Sequence, residues 1–253
     1  MIDLVEKNQS KVPEVTLIFW IIKIAATTLG ETGGDAVSMS MNLGYLISTI
    51  IFSFIFLIAV IAQIRARGFH PFIYWITIIA TTTVGTTLAD FADRSLGIGY
   101  AGGASLLLLL LMLSLFTWHS SLGSISIRTV VTPKVEVFYW ATIMFSQTLG
   151  TALGDWTADT AGIGYEGAAI VFITLLGMVV AAFFLTSISR VTLFWIAFIL
   201  TRPLGAVVGD FLDKPVSEGG LELSRYSATV ALLVFITVCI IFFSQRSNKH
   251  GAH

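Results

Sequence analysis

Long apolar stretches dominate the chain, and polar residues mark the breaks between them. Eight stretches are long enough to cross a bilayer core as a helix, which takes about 20 apolar residues. They are continuous apolar runs without the residue-by-residue alternation of a membrane β-strand. We therefore predict an all-α membrane protein with eight transmembrane helices, at residues 15–36, 43–64, 71–93, 101–119, 136–158, 165–187, 191–212 and 226–244.

One polar phrase recurs four times along these predicted helices. Each copy begins with a Trp, reaches a Gly ten residues later and an Asp five residues after the Gly. The four acids are Asp35, Asp90, Asp155 and Asp210, on helices one, three, five and seven. A Tyr near the start of the next helix completes each copy, so each repeat is predicted to be a helical hairpin. Because a hairpin has an even number of spans, the four copies are predicted to lie parallel.

The spacing between copies divides the chain into two halves of two hairpins each. The longest step falls between the second and third copies, in a polar loop at residues 120–135. We predict a first four-helix half at 15–119 and a second at 136–244, joined by this cytoplasmic linker. Residues 1–14 and 245–253 are predicted to be cytoplasmic segments. The polar start of the chain lacks the apolar core of a signal peptide, which predicts that the first span is retained.

Composition agrees with a membrane protein and narrows its chemistry. Of the 253 residues, 56% are hydrophobic and 11% are charged, and the mean hydropathy is +0.89. Such values are typical of integral membrane proteins rather than soluble domains. The net charge is −1, and no basic patch in the sequence indicates a nucleic acid partner. The single Cys239 excludes disulfides and cysteine-rich metal sites.

Charge distribution predicts the orientation in a bacterial inner membrane. Most Lys and Arg residues lie in the termini and in the loops that join repeats, whereas Arg94, Lys214 and Arg225 lie in turns within repeats. The positive-inside rule then places both termini in the cytoplasm. The Trp of each copy fits the cytoplasmic aromatic belt. Fifteen helical residues place each repeated Asp about 22 Å farther out, within a hydrocarbon core about 30 Å thick.

Each repeated Asp has a second acid three or four residues away. That spacing places both carboxylates on one helix face. Like charges in a low dielectric are costly, so a cation, protons or a basic partner is expected to neutralise them. The alternative is that these acids cap helix ends in headgroup water. The predicted metal ligands are Glu31, Asp35, Asp90, Asp93, Asp155, Asp159, Asp210 and Asp213.

Small residues four positions apart precede each repeated Asp. This pattern lets helix backbones approach closely in a membrane. If the odd-numbered helices meet along these positions, the repeated acids are brought towards a shared centre. The predicted packing residues are Gly30, Gly34, Gly85, Gly150, Gly154, Gly205 and Gly209.

Further polar residues precede the Gly positions within the same helices. Their hydroxyl and amide groups can act as neutral ligands, although Thr in a membrane helix often bonds its own backbone. The guanidinium of Arg202 is expected to seek a carboxylate. The Lys23 ammonium is expected either to gate the site or to extend to the cytoplasmic face. The predicted supporting or gating residues are Thr28, Thr83, Gln147, Thr148, Arg202 and Lys23.

The four TxGxxxGD-type phrases resemble an uncharacterised bacterial family of small integral membrane proteins with repeated Gly-Asp motifs. The segment ETGGDA at residues 31–36 also resembles, more weakly, the Glu-x-Gly-Asp-Lys-Ser/Thr signature of Golgi manganese and calcium antiporters. It has one extra residue and no Lys. The resemblance to these antiporters implies a proton-driven exporter of divalent cations, with Glu31 and Asp35 as the matching acids.

These observations predict a secondary transporter that exports a divalent cation in exchange for protons. The all-oxygen ligand set suits Mn²⁺, Ca²⁺ or Mg²⁺, and manganese is the first candidate. A cation channel or ion-sensing protein is the alternative, followed by an intramembrane enzyme or an assembly scaffold. The chain has no nucleophile–His pair and no HExxH motif, so we predict no enzymatic activity. We expect no tightly bound cofactor, and the pattern leaves a homo-oligomer open.

Overall fold

The computed structural model describes residues 10–248, and this part of the chain forms eight long α-helices and no β-strand. The prediction of eight helices is confirmed. Parts of the predicted terminal segments 1–14 and 245–253 lie outside the described residues. The helices are α1 (Leu17–Asp35), α2 (Gly44–Arg65), α3 (Pro71–Asp90), α4 (Tyr100–Leu122), α5 (Pro133–Asp155), α6 (Gly164–Leu185), α7 (Arg190–Asp213) and α8 (Arg225–Phe242).

Wider helical turns extend three of these helices beyond the repeated Asp. A π-helical turn follows α1 at Ala36–Ser40, α3 at Phe91–Ser95 and α5 at Trp156–Thr160. The fourth copy departs from this pattern, because α7 continues as an α-helix to Asp213 and a short 3₁₀ turn follows at Val216–Glu218. The repeated Asp thus lies where regular α-helix ends in three copies.

The four helices that contain the repeated phrase form a closed ring. Helix α1 packs on α3, α3 on α5, α5 on α7, and α7 returns to α1. We call these four the ring helices. Two of the contacts, α3 with α5 and α7 with α1, join the two predicted halves, so one interior is shared by all four repeats.

The prediction that each repeat packs as a helical hairpin needs correction. Helix α2 packs along α3, α4 along α5, α6 along α7, and α8 along α1. Each outer helix therefore lies on the ring helix of the following repeat, and the two helices of one repeat meet mainly near their turn. Sequence spacing does not reveal this arrangement, because a short turn allows either neighbour.

The outer helices are the apolar part of the molecule, and the ring helices hold most of the polar groups. Among the described residues, six helices are long and apolar enough to cross a membrane, namely α2, α3, α4, α6, α7 and α8. Helices α1 and α5 fall outside this group and carry buried charged residues such as Lys23 and Glu136. Large apolar side chains on the outer helices, including Phe54, Leu109 and Phe184, are exposed.

The Trp that begins each copy was predicted to fit the cytoplasmic aromatic belt, and the structure instead buries three of the four inside the bundle. Trp75, Trp140 and Trp195 are only 1–3% exposed and pack edge-to-face with neighbouring aromatic rings inside one end of the bundle. Burial is favoured there because the ring helices converge and the indoles fill the space between them. Within the described chain, this end is also covered by residues 10–13, where Lys11 Nζ lies 2.7 Å from Glu136 Oε1.

Candidate functional site

The interior of the ring is arranged in five layers, each formed by equivalent positions of the four repeats. Successive layers are four residues apart, or about 6 Å along a helix. We call the end of the bundle that is covered by residues 10–13 the closed end. Counted from there, the first three layers are the aromatic layer (Phe19, Tyr74, Tyr139, Phe194), the lysine layer (Lys23, Ile78, Ile143, Phe198) and the arginine layer (Thr27, Thr82, Gln147, Arg202). The next two are the threonine layer (Glu31, Thr86, Thr151, Ala206) and the aspartate layer (Asp35, Asp90, Asp155, Asp210). All twenty side chains are buried.

Close packing around the repeated Gly holds these layers in register. The four repeated glycines, Gly30, Gly85, Gly150 and Gly205, face Thr82, Gln147, Arg202 and Thr27 respectively. Each therefore meets the arginine-layer residue of the next ring helix, and the pattern closes from the fourth repeat to the first. A Cβ added to Gly85 would lie 3.0 Å from the Gln147 carbonyl carbon. Any larger residue would separate these helices.

A second set of small residues packs against the threonine layer. A Cβ on Gly34 would lie 3.1 Å from the Thr86 methyl group, and one on Gly154 would lie 3.2 Å from Ala206 Cβ. Gly209 faces the Glu31 side chain in the same way, at 2.6 Å from Glu31 Cβ. The small residues of one ring helix thus pack directly against threonine-layer residues of its neighbour.

Two basic residues each bridge two acids of the aspartate layer. Lys214 Nζ lies 2.8 Å from Asp35 Oδ2 and 3.1 Å from Asp210 Oδ1. Arg94 Nε lies 2.9 Å from Asp90 Oδ1, and its Nη2 lies 3.6 Å from Asp155 Oδ2. Each base follows the Asp of its own repeat by four residues and also reaches the Asp of the next repeat. The layer therefore has an approximate two-fold pattern of two acids with one base.

Lys214 is held as a cation by this arrangement. Burial alone would lower the pKa of its ammonium, but the nearby Asp210 and Asp35 carboxylates outweigh burial and raise the pKa above its ordinary value. The Lys214 side chain is 7% exposed, whereas that of Arg94 is 32% exposed. Lys214 is thus the more enclosed of the two counter-ions.

Arg202 occupies the centre of the ring and contacts the other three repeats. Its Nη2 donates to Glu31 Oε2 at 3.0 Å and to the hydroxyls of Thr86 and Thr151 at 2.5 Å. These three acceptors are equivalent residues of the threonine layer. The fourth equivalent residue is Ala206, which has no polar side chain to accept a hydrogen bond. The carboxylate that was expected to pair with Arg202 is Glu31.

The acids converge into two groups suited to cation binding. One carboxylate oxygen from each of Glu31, Asp35 and Asp90 lies within 4.8 Å of the other two. A second group of the same size joins Asp35, Asp210 and Asp213. Asp35 belongs to both groups. Its environment also includes Arg225, whose Nε lies 3.1 Å from Asp213 Oδ2 and 3.8 Å from Asp35 Oδ2.

The other predicted ligands lie farther from these groups. Asp159 is exposed, and Asp93 is half-buried beside Gly103 of α4. Asp155 lies in the aspartate layer but pairs with Arg94 and belongs to neither acid group among the described residues.

The supporting residues divide into two kinds. Thr28, Thr83 and Thr148 donate their hydroxyls to carbonyls of their own helices, so they offer no free donor to a ligand. Gln147 is fully buried. Lys23 was expected to gate the site or extend to the cytoplasmic face, and the second alternative is wrong. Its ammonium is fully buried, 4.2 Å from the Phe198 ring centroid.

Sequence reasoning missed Arg94, Lys214 and Arg225 as members of the site. They were interpreted as charges of turns and used only to orient the chain. A signal was present, because Arg94 and Lys214 occupy the same position of repeats two and four, one helical turn beyond the repeated Asp. Opposite charges four residues apart are expected to meet on a helix.

Comparison with known proteins identifies the repeats but gives no activity. One family model, described as Repeat of Unknown Function (DUF347), matches four consecutive segments at residues 18–69, 73–123, 138–189 and 193–247. Each segment contains one ring helix and the outer helix that follows, so the prediction of four internal repeats is confirmed. No curated protein and no solved structure matches the chain.

Proposed function

The chain belongs to the DUF347 repeat family, and we propose that it is an integral membrane carrier for a divalent cation, coupled to protons. The membrane part of the proposal is supported by the inverted distribution of polarity. The outer helices expose Leu, Ile and Phe side chains over most of their length, whereas charges are buried in the ring. An exposed apolar surface of this kind is unfavourable in water and suits lipid.

The observation that supports the cation site is the buried Glu31–Asp35–Asp90 group. Three carboxylates within 4.8 Å of one another form a hard oxygen ligand set, as Mn²⁺, Ca²⁺ and Mg²⁺ require. Manganese is the first ion to test. The hydroxyl of Thr86 lies 3.3 Å from Glu31 Oε2 and adds a neutral oxygen beside the group.

Lys214 and Arg94 give this site an exchange mechanism. In the structure they supply two positive charges to the four carboxylates of the aspartate layer. A bound divalent cation would pair with the Asp35 and Asp90 carboxylates in place of these bases. When the cation leaves, protons would bind the carboxylates that it vacates. Binding of metal and binding of protons then exclude each other, which is the physical basis of antiport.

The filled interior favours a carrier over an open channel. Between the aspartate layer and the closed end, side chains of four layers occupy the ring within the described part of the chain. The Arg202 contacts to Glu31, Thr86 and Thr151 lie across that path. Transport therefore requires these contacts to rearrange, as in alternating access.

Reconstituted protein tests this function. Proteoliposomes with a manganese gradient and an internal pH dye should show metal-dependent proton flux, and Asp90→Asn should abolish most of it. The matched control is Glu166→Gln, which alters an exposed carboxylate at the start of α6. Unchanged flux in Asp90→Asn would overturn the proposal. Manganese flux that does not depend on the proton gradient would support a channel instead.

A further inference from the structure

Several buried polar atoms near the closed end of the ring have no hydrogen-bonding partner anywhere in residues 10–248. They are Lys23 Nζ, Thr82 Oγ1, Arg202 Nε and both polar atoms of the Gln147 amide. All four side chains are fully buried. Unsatisfied buried polar groups are rare in folded proteins and usually indicate a bound water or ion.

These residues occupy two adjacent layers of the ring. Lys23 belongs to the lysine layer, and the other three belong to the arginine layer. Lys23 Nζ lies over Phe198, which precedes Arg202 by one turn of α7. The backbone carbonyl of Thr27, one turn after Lys23 on α1, accepts a hydrogen bond from Arg202 Nη1 at 3.4 Å. Both groups therefore lie between α1 and α7, in successive layers of the ring.

Arg202 and Lys23 differ in their acidic partners. Arg202 has Glu31 as its partner at 3.0 Å, whereas Lys23 forms no salt bridge with the acids of the described chain. The repeated aspartates lie two or three layers away, beside their own bases. The Phe198 ring attracts an ammonium, but a ring face does not replace a counter-ion for a fully desolvated charge.

We propose that Lys23, Thr82, Gln147 and Arg202 bind a small anion inside the ring. Donors outnumber acceptors among the unsatisfied atoms, because an ammonium has three N–H groups, an amide two and Arg Nε one. The excess of donors favours an anion over water. Chloride and formate are small monovalent anions and serve as probes of the site.

Thermal unfolding of the purified protein tests this site without any transport assay. Replacing gluconate by chloride or by formate at constant sodium should raise the midpoint temperature of wild type. Lys23→Ile should remove the shift, and isoleucine fits because Ile78 and Ile143 occupy the equivalent positions of repeats two and three. The control Lys134→Gln, at an exposed lysine of α5, should keep the full shift.

A second variant covers the case in which Lys23→Ile does not fold. Gln147→Glu supplies a tethered anion, so it should raise the midpoint temperature in gluconate and lose the response to added anions. The proposal is overturned if neither chloride nor formate stabilises wild type. It is also overturned if Lys23→Ile or Gln147→Glu responds as strongly as wild type. A response to one anion alone identifies the site as selective for a halide or for a carboxylate.

Discussion

Lys214 and Asp35 are 179 residues apart in the chain, and their side chains meet at 2.8 Å inside the ring. The contact joins the end of the fourth ring helix to the end of the first. It is repeated by Arg94 and Asp155, which join the second repeat to the third. The aspartate layer is therefore assembled from contacts between repeats, and its charge balance depends on ring closure.

Removing the Lys214 charge should destabilise the protein and increase its dependence on metal. Lys214→Met leaves Asp35 and Asp210 buried without their base, a change that costs about 3–5 kcal/mol in buried ion pairs. We expect a lower unfolding temperature without metal and a larger stabilisation by Mn²⁺ than in wild type. Thermal unfolding with and without Mn²⁺ measures both. An unfolding temperature equal to that of wild type would show that Lys214 is not needed as a counter-ion.

Arg202 and Glu31 should behave as a coupled pair. Arg202→Met leaves the Glu31 carboxylate unpaired, and Glu31→Gln leaves the guanidinium unpaired, so each should destabilise by several kcal/mol. The double variant should be less destabilised than the sum of the single variants. A double-mutant cycle of unfolding free energies gives the coupling directly. Additive effects would contradict the contact.

The repeated Gly should tolerate no added methyl group. Gly85→Ala places a Cβ against the Gln147 backbone at 3.0 Å, and overpacking of this kind costs about 1–3 kcal/mol. Gly177→Ala in α6 is the matched control, because nothing lies within 4 Å of the added Cβ. Alanine there should be neutral or stabilising by up to about 1 kcal/mol. Equal effects at the two positions in thermal unfolding would argue against close ring packing.

Tryptophan fluorescence in lipid should distinguish the buried indoles from an exposed one. Trp156 is 40% exposed, whereas Trp140 is 2% exposed. In bilayers that contain brominated lipid, Trp156→Phe should remove much more of the quenchable emission than Trp140→Phe. If Trp140 proves the more accessible residue, its indole is not packed inside the bundle.

The sequence predicted the eight helices and the four repeats because both depend on local patterns. Apolar length determines the helices, and the Trp-Gly-Asp spacing identifies the copies. The packing of α2 on α3 was not predictable, since the length of a turn does not determine which neighbouring helix packs against α2. The burial of Trp75 was missed for a similar reason, because an indole suits both an interface and a packed helix end.

The candidate site was only partly predictable. The repeated spacing indicated that Asp35 and its equivalents lie at one depth, but it did not reveal their basic partners. Arg94 and Lys214 follow the repeated Asp in only two copies, so they appeared as turn charges. The contacts of Arg202 with Thr86 and Thr151 depend on the ring, which the spacing alone does not define.

Equilibrium binding of Mn²⁺ to the purified protein, measured by the free-ion electron paramagnetic resonance signal, tests the cation site most directly. Asp35 belongs to both acid groups, so Asp35→Asn should weaken Mn²⁺ binding at least tenfold, or by about 1.4 kcal/mol. Glu166→Gln should bind Mn²⁺ as wild type does. Equal affinities of wild type and Asp35→Asn, or no binding to wild type, would contradict a cation site in the aspartate layer.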